Sequence, residues 1–315
     1  MIPTRNRWLM LERAALRAAL SQELVDHEVV VVDDGSTDRT SQRLEELRDP
    51  RLRVVRLDER RGVATARNAG IANAQGEWIA FLDDDDLWSP FKLRRQIDAA
   101  READAVFAYA GVVSVDELGT AQYSFSLPDP VGLLPRLLAS SVVPAGCSNV
   151  LARTEVVRDL GGFDERLFQL ADWDLWIRLA WAGRAASCKD VLVGYVEHGE
   201  NMLLTDPRDV RREFAHLDAK HESLRAIHAV ELDRAAFAHW VAWGHLRRRR
   251  RLRAARVYFR SGIENRRPRD VALAGGFALR AALPIGGVRP ALQRLTRGSA
   301  YATPPAEPAW LDLYR

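Results

Sequence analysis

Two short apolar runs in this sequence each lead into a cluster of carboxylates, and this pairing constrains the fold more than any other feature. Residues 29–32 (VVVV) precede Asp33 and Asp34, and residues 78–82 (WIAFL) precede the four aspartates of residues 83–86. Apolar runs of this length are typical of strands buried on both faces of a parallel sheet, and open α/β sheets bind ligands beyond the carboxyl ends of their strands. Both acidic clusters are therefore expected at the ligand-binding edge of such a sheet.

The four consecutive aspartates at residues 83–86 indicate a site for a cation. Neighbouring carboxylates repel one another unless a cation or hydrogen-bond donors compensate their charge. A hard divalent metal with oxygen ligands meets that need. The alternative is a solvated turn, because aspartate and glycine are common loop residues.

Six short motifs point to one known family. In chain order they are IPTRNR (2–7), VDDGSTD (32–38), ARNAG (66–70), FLDDDD (81–86), GGFDE (161–165) and DWDLWIRL (172–179). Together they resemble the motifs of the family 2 glycosyltransferases with the GT-A fold, and the resemblance extends over residues 1–204. It implies an α/β architecture with a mostly parallel central sheet flanked by helices, a Rossmann-like nucleotide-binding half and a C-terminal helical extension.

The resemblance implies which residues bind the nucleotide of the donor. Asp34 would accept the imide N–H of uracil, and Thr4 would also contact the nucleotide. Gly35 would let the chain turn at positive φ without a side chain that blocks the base. Arg67 is implied as a further contact, although an arginine at this position could equally be a surface cation beside the acidic strand ends.

The resemblance also implies a metal cofactor, Mn²⁺ or Mg²⁺, at the second acidic cluster. Asp85 would be the direct ligand, and Asp83 would face the ribose or a metal-bound water. Asp84 and Asp86 could bind or orient the donor, or be ordinary turn residues. His198 could approach the metal or the diphosphate, or be a loop histidine bonded to the backbone.

The base that accepts the proton of the acceptor hydroxyl would be Asp172, which opens a predicted helix. The helix dipole favours an ionised carboxylate at this end. Asp174 points to another side of the helix and is expected to cap it or to pair with Arg178. Nearby tryptophans could form a platform for a sugar ring or belong to the core. These are Trp173, Trp176 and Trp181, and Trp176 is expected in the core.

The order of predicted elements suggests three regions. Residues 1–104 alternate strands and helices, which predicts right-handed crossovers and a nucleotide-sugar-binding half. Residues 105–204 are more mixed, and the resemblance implies that they shape the acceptor site. Residues 205–315 are expected to form a basic helical region, with helices near 208–229, 233–247, 252–261 and 269–283.

Charge separates the chain into an acidic and a basic part. Residues 205–315 hold 22 Lys+Arg and 11 Asp+Glu, a balance of +11, and the remaining 24 and 32 give −8 for residues 1–204. Such asymmetry suggests a basic tail that meets an anionic partner. Peripheral contact with an anionic membrane through the Arg-rich C-terminal region is one interpretation, and a solvated basic face is the other. Nucleic-acid binding is not expected, because no recognised module surrounds the arginines.

Other features of the sequence indicate the cellular compartment of the protein. The chain has two cysteines, shows no signal peptide and has no apolar stretch of the ~18 residues that a spanning helix needs. It is therefore expected to be cytoplasmic, with peripheral binding at the inner face of the membrane as an extension of that expectation.

The function implied by the resemblance is metal-dependent, inverting glycosyl transfer of the hexosyltransferase type. A sugar would move from a nucleotide-diphosphate sugar, with UDP as the default nucleotide, to a hydroxyl acceptor. Synthesis of a cell-envelope polysaccharide or glycolipid would be the setting. Two alternatives stay open: a non-catalytic nucleotide- or metal-binding module, and a scaffold that retains the GT-A fold.

Overall fold

The computed structural model describes residues 1–199, 207–282 and 307–315. The chain forms two compact units. The first, which we call the sheet unit, contains residues 1–137, 141–198 and 302–315, and the second, the helical unit, contains residues 138–140 and 199–301. The boundary expected at residue 204 lies outside the described residues.

The sheet unit contains a three-stranded parallel sheet and a six-stranded mixed sheet. Its described strands are β1 (Ile2–Thr4), β2 (Val29–Asp34), β3 (Leu52–Leu57), β4 (Trp78–Ala80), β5 (Leu87–Trp88), β6 (Phe107–Asp116), β7 (Ala121–Ser124), β8 (Leu151–Arg153) and β9 (Ala185–Glu197). Strands β1, β2 and β3 are neighbours in that order, and both pairs are parallel. The order β4-β8-β6-β9-β5 combines a parallel β6–β9 pair with antiparallel neighbours, and β7 pairs with β6.

Backbone hydrogen bonds at Met1 join the two sets of strands. The Met1 amine donates to Ala80 O at 2.7 Å, and Leu82 N donates to Met1 O at 3.1 Å. This places the end of β4 beside β1, so the residues that follow the two strands meet at one edge. All six residues of β2 are buried, as an apolar strand between two helical layers requires. The predicted α/β class with the Asp-rich segments at strand ends is confirmed.

Short helices cover the faces of the sheet. They are α1 (Trp8–Leu11), a π-helical turn (Glu12–Leu16), α2 (Arg17–Leu20), α3 (Thr40–Glu46), α4 (Val63–Asn73), α5 (Lys92–Glu102), α6 (Leu133–Ala139), a 3₁₀ turn (Gly146–Asn149), α7 (Thr154–Asp159) and α8 (Ala171–Ala182). The core centres on β2. On one side its valines pack with Ala15, Ala18 and Leu11, and on the other with Ala66 of α4.

The last described residues pack on the sheet unit, although sequence analysis assigned residues 205–315 to one helical region. A 3₁₀ helix (Ala309–Tyr314) places Leu311, which is fully buried, among Leu87, Val113 and Val115. The Tyr314 hydroxyl donates to Trp88 O at 2.7 Å, and so holds the strand that directly follows the four aspartates. The segment is too short to show a hydrophobic period in the sequence.

The helical unit contains the predicted basic helices, but the single helix expected at 208–229 is two helices that meet at His221. Its described helices are α9 (Pro207–Lys220), α10 (Glu222–His228), α11 (Arg234–Arg247), α12 (Arg251–Glu264) and α13 (Pro268–Ala282). Ala242, Tyr258 and Phe277 lie in its small core. None of the helices within the described ranges has both the length and the apolar character that a bilayer crossing requires.

Candidate functional site

Asp84 is buried and is held by one side chain at the end of β1 and one in the loop that follows β1. Its carboxylate accepts a hydrogen bond from the Thr4 hydroxyl at 2.8 Å and forms an ion pair with Arg7 Nη1 at 2.7 Å. Burial raises the pKa of Asp84 to about 7, the charge of Asp85 acts in the same direction, and Arg7 opposes both. Thr4, which the sequence suggested as a nucleotide contact, therefore orients an aspartate of the second acidic cluster.

Asp85 meets the other predicted metal ligand. Its Oδ2 lies 2.8 Å from His198 Nε2 and 2.9 Å from Arg7 Nη1. Burial acts to raise the pKa of Asp85, but the hydrogen bond to His198 and the charge of Arg7 outweigh it, so the pKa is lowered. Asp85 is therefore ionised at neutral pH.

The Asp85–His198 pair fits two ligands of one divalent ion. Two donors that each lie about 2.1 Å from an ion, at right angles to one another, are about 3 Å apart. Across the described part of the chain, no group of three or more His, Cys, Asp or Glu side chains is arranged to hold a metal. An ion here would need further ligands from a bound diphosphate, which is how Mg²⁺ is often held.

Arg67 pairs with Asp83. The guanidinium is buried, and its Nη2 lies 2.5 Å from Asp83 Oδ1. Its charge also acts on Asp172. The alternative that Arg67 is a surface cation is wrong, because only 4% of the residue is exposed.

Asp172 lies in the first turn of α8 and is surrounded by protein. Burial raises its pKa to about 6, while Arg67 and the Trp173 N–H, which donates at 2.7 Å, favour the ionised form. The helix dipole alone suggested a lowered pKa for Asp172. Burial outweighs that effect, and the pKa lies above its usual value. The carboxylate is still mostly ionised at pH 7, and protonation begins just below neutrality.

A glycine leaves the space for this carboxylate. A Cβ at Gly146, whose φ is +48°, would lie 2.8 Å from Asp172 Oδ2.

The other acid of α8, Asp174, is fully buried and forms an ion pair with Arg178 at 2.7 Å, which confirms the expected pairing. Trp176 is fully buried, as expected. Trp173 is also buried, and Trp181 is half exposed.

The first acidic cluster forms a turn that is closed by its own neighbours. Asp34 accepts from Arg61 N at 2.6 Å and from Gly62 N at 3.0 Å, so its carboxylate fixes the loop before α4. Gly35 has φ +63°, and a Cβ there would lie 2.5 Å from the backbone of Glu59. The predicted positive φ is confirmed, and the backbone that comes close is that of the same loop.

The structure adds residues to which the sequence assigned no role. Arg7 bridges Asp84 and Asp85, and Ser148 donates to Asp86 at 2.5 Å. Asn6 joins the segment after β1 to the first acidic turn, because its N–H donates to Ser36 Oγ at 2.9 Å. Arg7 and Asn6 stand in the IPTRNR motif, so the motif was a signal for both. Ser148 had no signal, since its partner is far away in the chain.

A cavity of about 390 Å³ lies at the opposite end of the strands. Met1, Val29 and Trp78 are among the residues that line it, and none of the predicted site residues does. Because α/β sheets bind ligands beyond the carboxyl ends of their strands, the cluster around residues 83–86 is the better candidate for the functional site.

Comparison with known proteins agrees with the motifs. The sequence profile of the family described as Glycosyl transferase family 2 matches residues 1–161. Succinoglycan biosynthesis protein ExoO of Rhizobium meliloti (strain 1021) is 45% identical over 143 residues, which cover 45% of this chain and 39% of that protein. The UDP-Glc:alpha-D-GlcNAc-diphosphoundecaprenol beta-1,3-glucosyltransferase WfaP of Escherichia coli is 35% identical over 97 residues, which cover 31% of this chain and 39% of that protein. The chain thus matches about two fifths of each relative's length.

Solved structures share the fold. The crystal structure of S. aureus TarS 1-349 in complex with UDP-GlcNAc has a TM-score of 0.58 at 22% identity and covers 78% of this chain and 70% of that one. The complex of the same protein with UDP has a TM-score of 0.54 at 20% identity, over 90% of both chains. Asp172 and His198 lie beyond the residues that the family profile matches, but inside the sheet unit.

Proposed function

Because this chain belongs to glycosyl transferase family 2, we propose that it transfers a sugar from a nucleotide-diphosphate sugar to a hydroxyl acceptor. One observation carries the proposal. The candidate donor-binding carboxylates and the candidate base lie around one buried arginine, since Arg67 contacts Asp83 and its charge acts on Asp172. A sugar whose diphosphate is bound near Asp83 and Asp85 would then have a proton acceptor within the same enclosed site.

Asp85 and His198 would hold a divalent cation together with the diphosphate of the donor. Such a cation, when bound, neutralises the negative charge that develops on the leaving diphosphate. His198 and Arg7 keep Asp85 ionised in the absence of the ion, so the site does not have to deprotonate Asp85 before it can bind the ion. Thr4 fixes the neighbouring Asp84 and limits the orientations available to the cluster.

Asp172 would act as the general base of a single displacement. The acceptor hydroxyl gives its proton to Asp172 as its oxygen forms a bond to the anomeric carbon, and the bond from that carbon to the diphosphate oxygen breaks. One displacement inverts the configuration at that carbon. A base works best when its pKa is near the working pH, and a pKa of about 6 meets that condition.

UDP is our proposed donor nucleotide, and a cell-envelope polysaccharide or its lipid-linked precursor our proposed acceptor class. The names of the relatives support both choices, because they refer to succinoglycan biosynthesis and to a UDP-glucose-dependent transfer onto a diphosphoundecaprenol acceptor. The TarS complexes with UDP-GlcNAc and UDP support a uridine nucleotide in this fold.

The test is release of UDP from a panel of UDP-sugars, with and without Mn²⁺, by the full chain. Asp172→Asn should lower kcat by about 100- to 10,000-fold, because it removes the base. Asp85→Asn should lower the rate by a similar factor and weaken its dependence on Mn²⁺. Asp159→Asn is the matched control, since Asp159 is an exposed aspartate at the end of α7.

The outcome separates the candidate functions. Turnover that is unaffected by both substitutions would contradict the proposal. Binding of UDP without turnover of any sugar nucleotide, even with an undecaprenyl-diphosphate-linked sugar as acceptor, would favour the non-catalytic module.

A further inference from the structure

One face of α12 carries large apolar side chains that are more than half exposed. Leu252, Phe259 and Ile263 are 56%, 54% and 63% exposed. Together with Arg256 they are spaced four, three and four residues apart, which places them on one side of the helix. We call these four residues the α12 stripe.

The α12 stripe is not the face that packs into the helical unit. The buried residues of α12 are Ala254, Ala255, Tyr258, Ser261 and Gly262. At about 100° per residue, the mean direction of this buried set points about 130° away from the mean direction of the stripe. The helix therefore has two apolar sides, of which one completes the core and the other faces solvent.

Arginines flank the α12 stripe. Arg253 is exposed next to it, and neither Arg253 nor Arg256 has an acidic partner within the described ranges. Arg260 pairs with Glu264 at 2.5 Å, and this is the only ion pair within α12 itself. Exposed arginines beside exposed apolar residues suit a partner that has anionic groups above an apolar layer.

We propose that the α12 stripe binds the surface of an anionic lipid bilayer. Leu252, Phe259 and Ile263 enter the boundary between headgroups and acyl chains, and Arg253 and Arg256 contact lipid phosphates. A stripe one side chain wide and about 17 Å long is too narrow for a stable protein interface, which needs about 800 Å² per partner. Nucleic acid would match the arginines but would leave the apolar side chains in water.

The inference goes beyond sugar transfer and depends only on the helical unit. It requires two kinds of contact at once, because neither a few apolar side chains nor a few arginines alone binds a bilayer stably. Each arginine near an anionic surface contributes about 1 kcal/mol to the free energy of membrane binding, which raises the partition coefficient about fivefold.

The experiment is flotation of the full chain with vesicles of phosphatidylcholine alone or mixed with phosphatidylglycerol. The wild type should float with the mixed vesicles only, and less at high salt. The triple variant Leu252→Ser, Phe259→Ser, Ile263→Ser should bind on the order of 100-fold more weakly. The double variant Arg253→Gln, Arg256→Gln should bind about 25-fold more weakly.

Matched controls lie in the sheet unit. Leu118 and Val131 are 78% and 82% exposed, and the double variant Leu118→Ser, Val131→Ser should float like the wild type. Thermal unfolding and UDP binding should be unchanged in all variants. These readings separate a failure of membrane binding from a failure of the proposed transfer reaction.

Several results would overturn the inference. The first is equal recovery with neutral and anionic vesicles, or none with either. The second is unchanged binding by the triple variant. The third is a wild type that sediments as a dimer while the triple variant is a monomer, since the stripe would then be covered by a second copy of the chain. Binding to duplex DNA that outcompetes the vesicles and survives the triple substitution would assign the arginines to nucleic acid instead.

Discussion

Charged side chains are buried and paired at residues 83–86 of the sheet unit, whereas arginines are exposed along α12 of the helical unit. Arg7 pairs with both Asp84 and Asp85, and Arg67 pairs with Asp83. Arg253 and Arg256 of α12 have none in the part of the chain described. Buried, mutually compensated charges hold a small ligand in one orientation, while exposed, unpaired charges suit a large, mobile partner.

The largest stability effect is expected from removing a buried cation. Arg67→Met leaves Asp83 and Asp172 without their common partner, and loss of one member of a buried ion pair costs about 3–5 kcal/mol. Arg256→Met in the helical unit should change the free energy of unfolding by less than about 0.5 kcal/mol, because Arg256 is exposed. Urea titrations of both variants test the contrast, and equal losses would contradict it.

A second prediction concerns the end of the chain. Leu311→Ala should lower the free energy of unfolding of the sheet unit by about 2–5 kcal/mol, because Leu311 is fully buried beside Val113 and Val115. Leu313, two residues later, is 45% exposed, and Leu313→Ala should have little effect. The measurement is thermal unfolding followed through the tryptophan signal. Similar stability of the two variants would mean that the terminal segment does not complete this core.

A third prediction follows from the raised pKa of Asp172. The folded-state pKa of about 6 lies above the usual aspartate value of 3.8. Burial of the ionised carboxylate therefore destabilises the fold above pH 6 and has no effect on stability below pH 4. Asp172→Asn should therefore raise the free energy of unfolding at pH 7 by on the order of 2–3 kcal/mol while it removes activity. The gain should vanish as the pH falls from 6 to 4.

The same pKa predicts a pH limit for the reaction. If Asp172 is the base, kcat/KM should fall about tenfold per pH unit below pH 6, because the protonated carboxyl cannot accept a proton. Asp159→Asn should leave both profiles unchanged. A flat rate profile between pH 5 and 7 would assign the base to another group.

A smaller effect on stability is expected at Asp270, the buried acid of α13 in the helical unit. Asp270 is 2% exposed and accepts from Ser261 Oγ at 3.0 Å, and its Oδ2 lies 2.8 Å from His239 Nε2. Asp270→Asn should cost about 1–3 kcal/mol, since it weakens contacts that join three helices. Glu264→Gln, at an exposed ion pair, should cost less than about 1 kcal/mol. Chemical denaturation of the two variants distinguishes them.

Periodicity and turn residues were enough to predict most helices and strands. The apolar run expected as a strand before the first acidic cluster is β2, and the helices expected at 233–247 and 269–283 begin within one residue of the expected positions. Gly146–Asn149, by contrast, form a 3₁₀ turn, and only residues 151–153 of this region pair in the sheet. Gly146 with its positive φ starts that turn, and no pattern of apolar residues reports it.

The site was predictable in residue type and not in pairing. The resemblance implied that Asp85 binds the metal and that His198 could approach it, and the structure places Asp85 Oδ2 and His198 Nε2 2.8 Å apart. It could not indicate that Arg7 bridges two aspartates or that Asp34 holds the loop at Arg61, because these contacts join residues far apart in the chain. Nor could it give the pKa of Asp172, which depends on burial by the surrounding fold.

The central claim is that Asp85 and its neighbours bind a nucleotide diphosphate through a divalent cation. Isothermal titration calorimetry of UDP into the full chain, with and without Mn²⁺, tests it most directly. Binding should need Mn²⁺, and Asp85→Asn should abolish that dependence while Asp159→Asn leaves it intact. UDP binding of equal affinity with and without Mn²⁺, in the wild type and in Asp85→Asn, would contradict the claim.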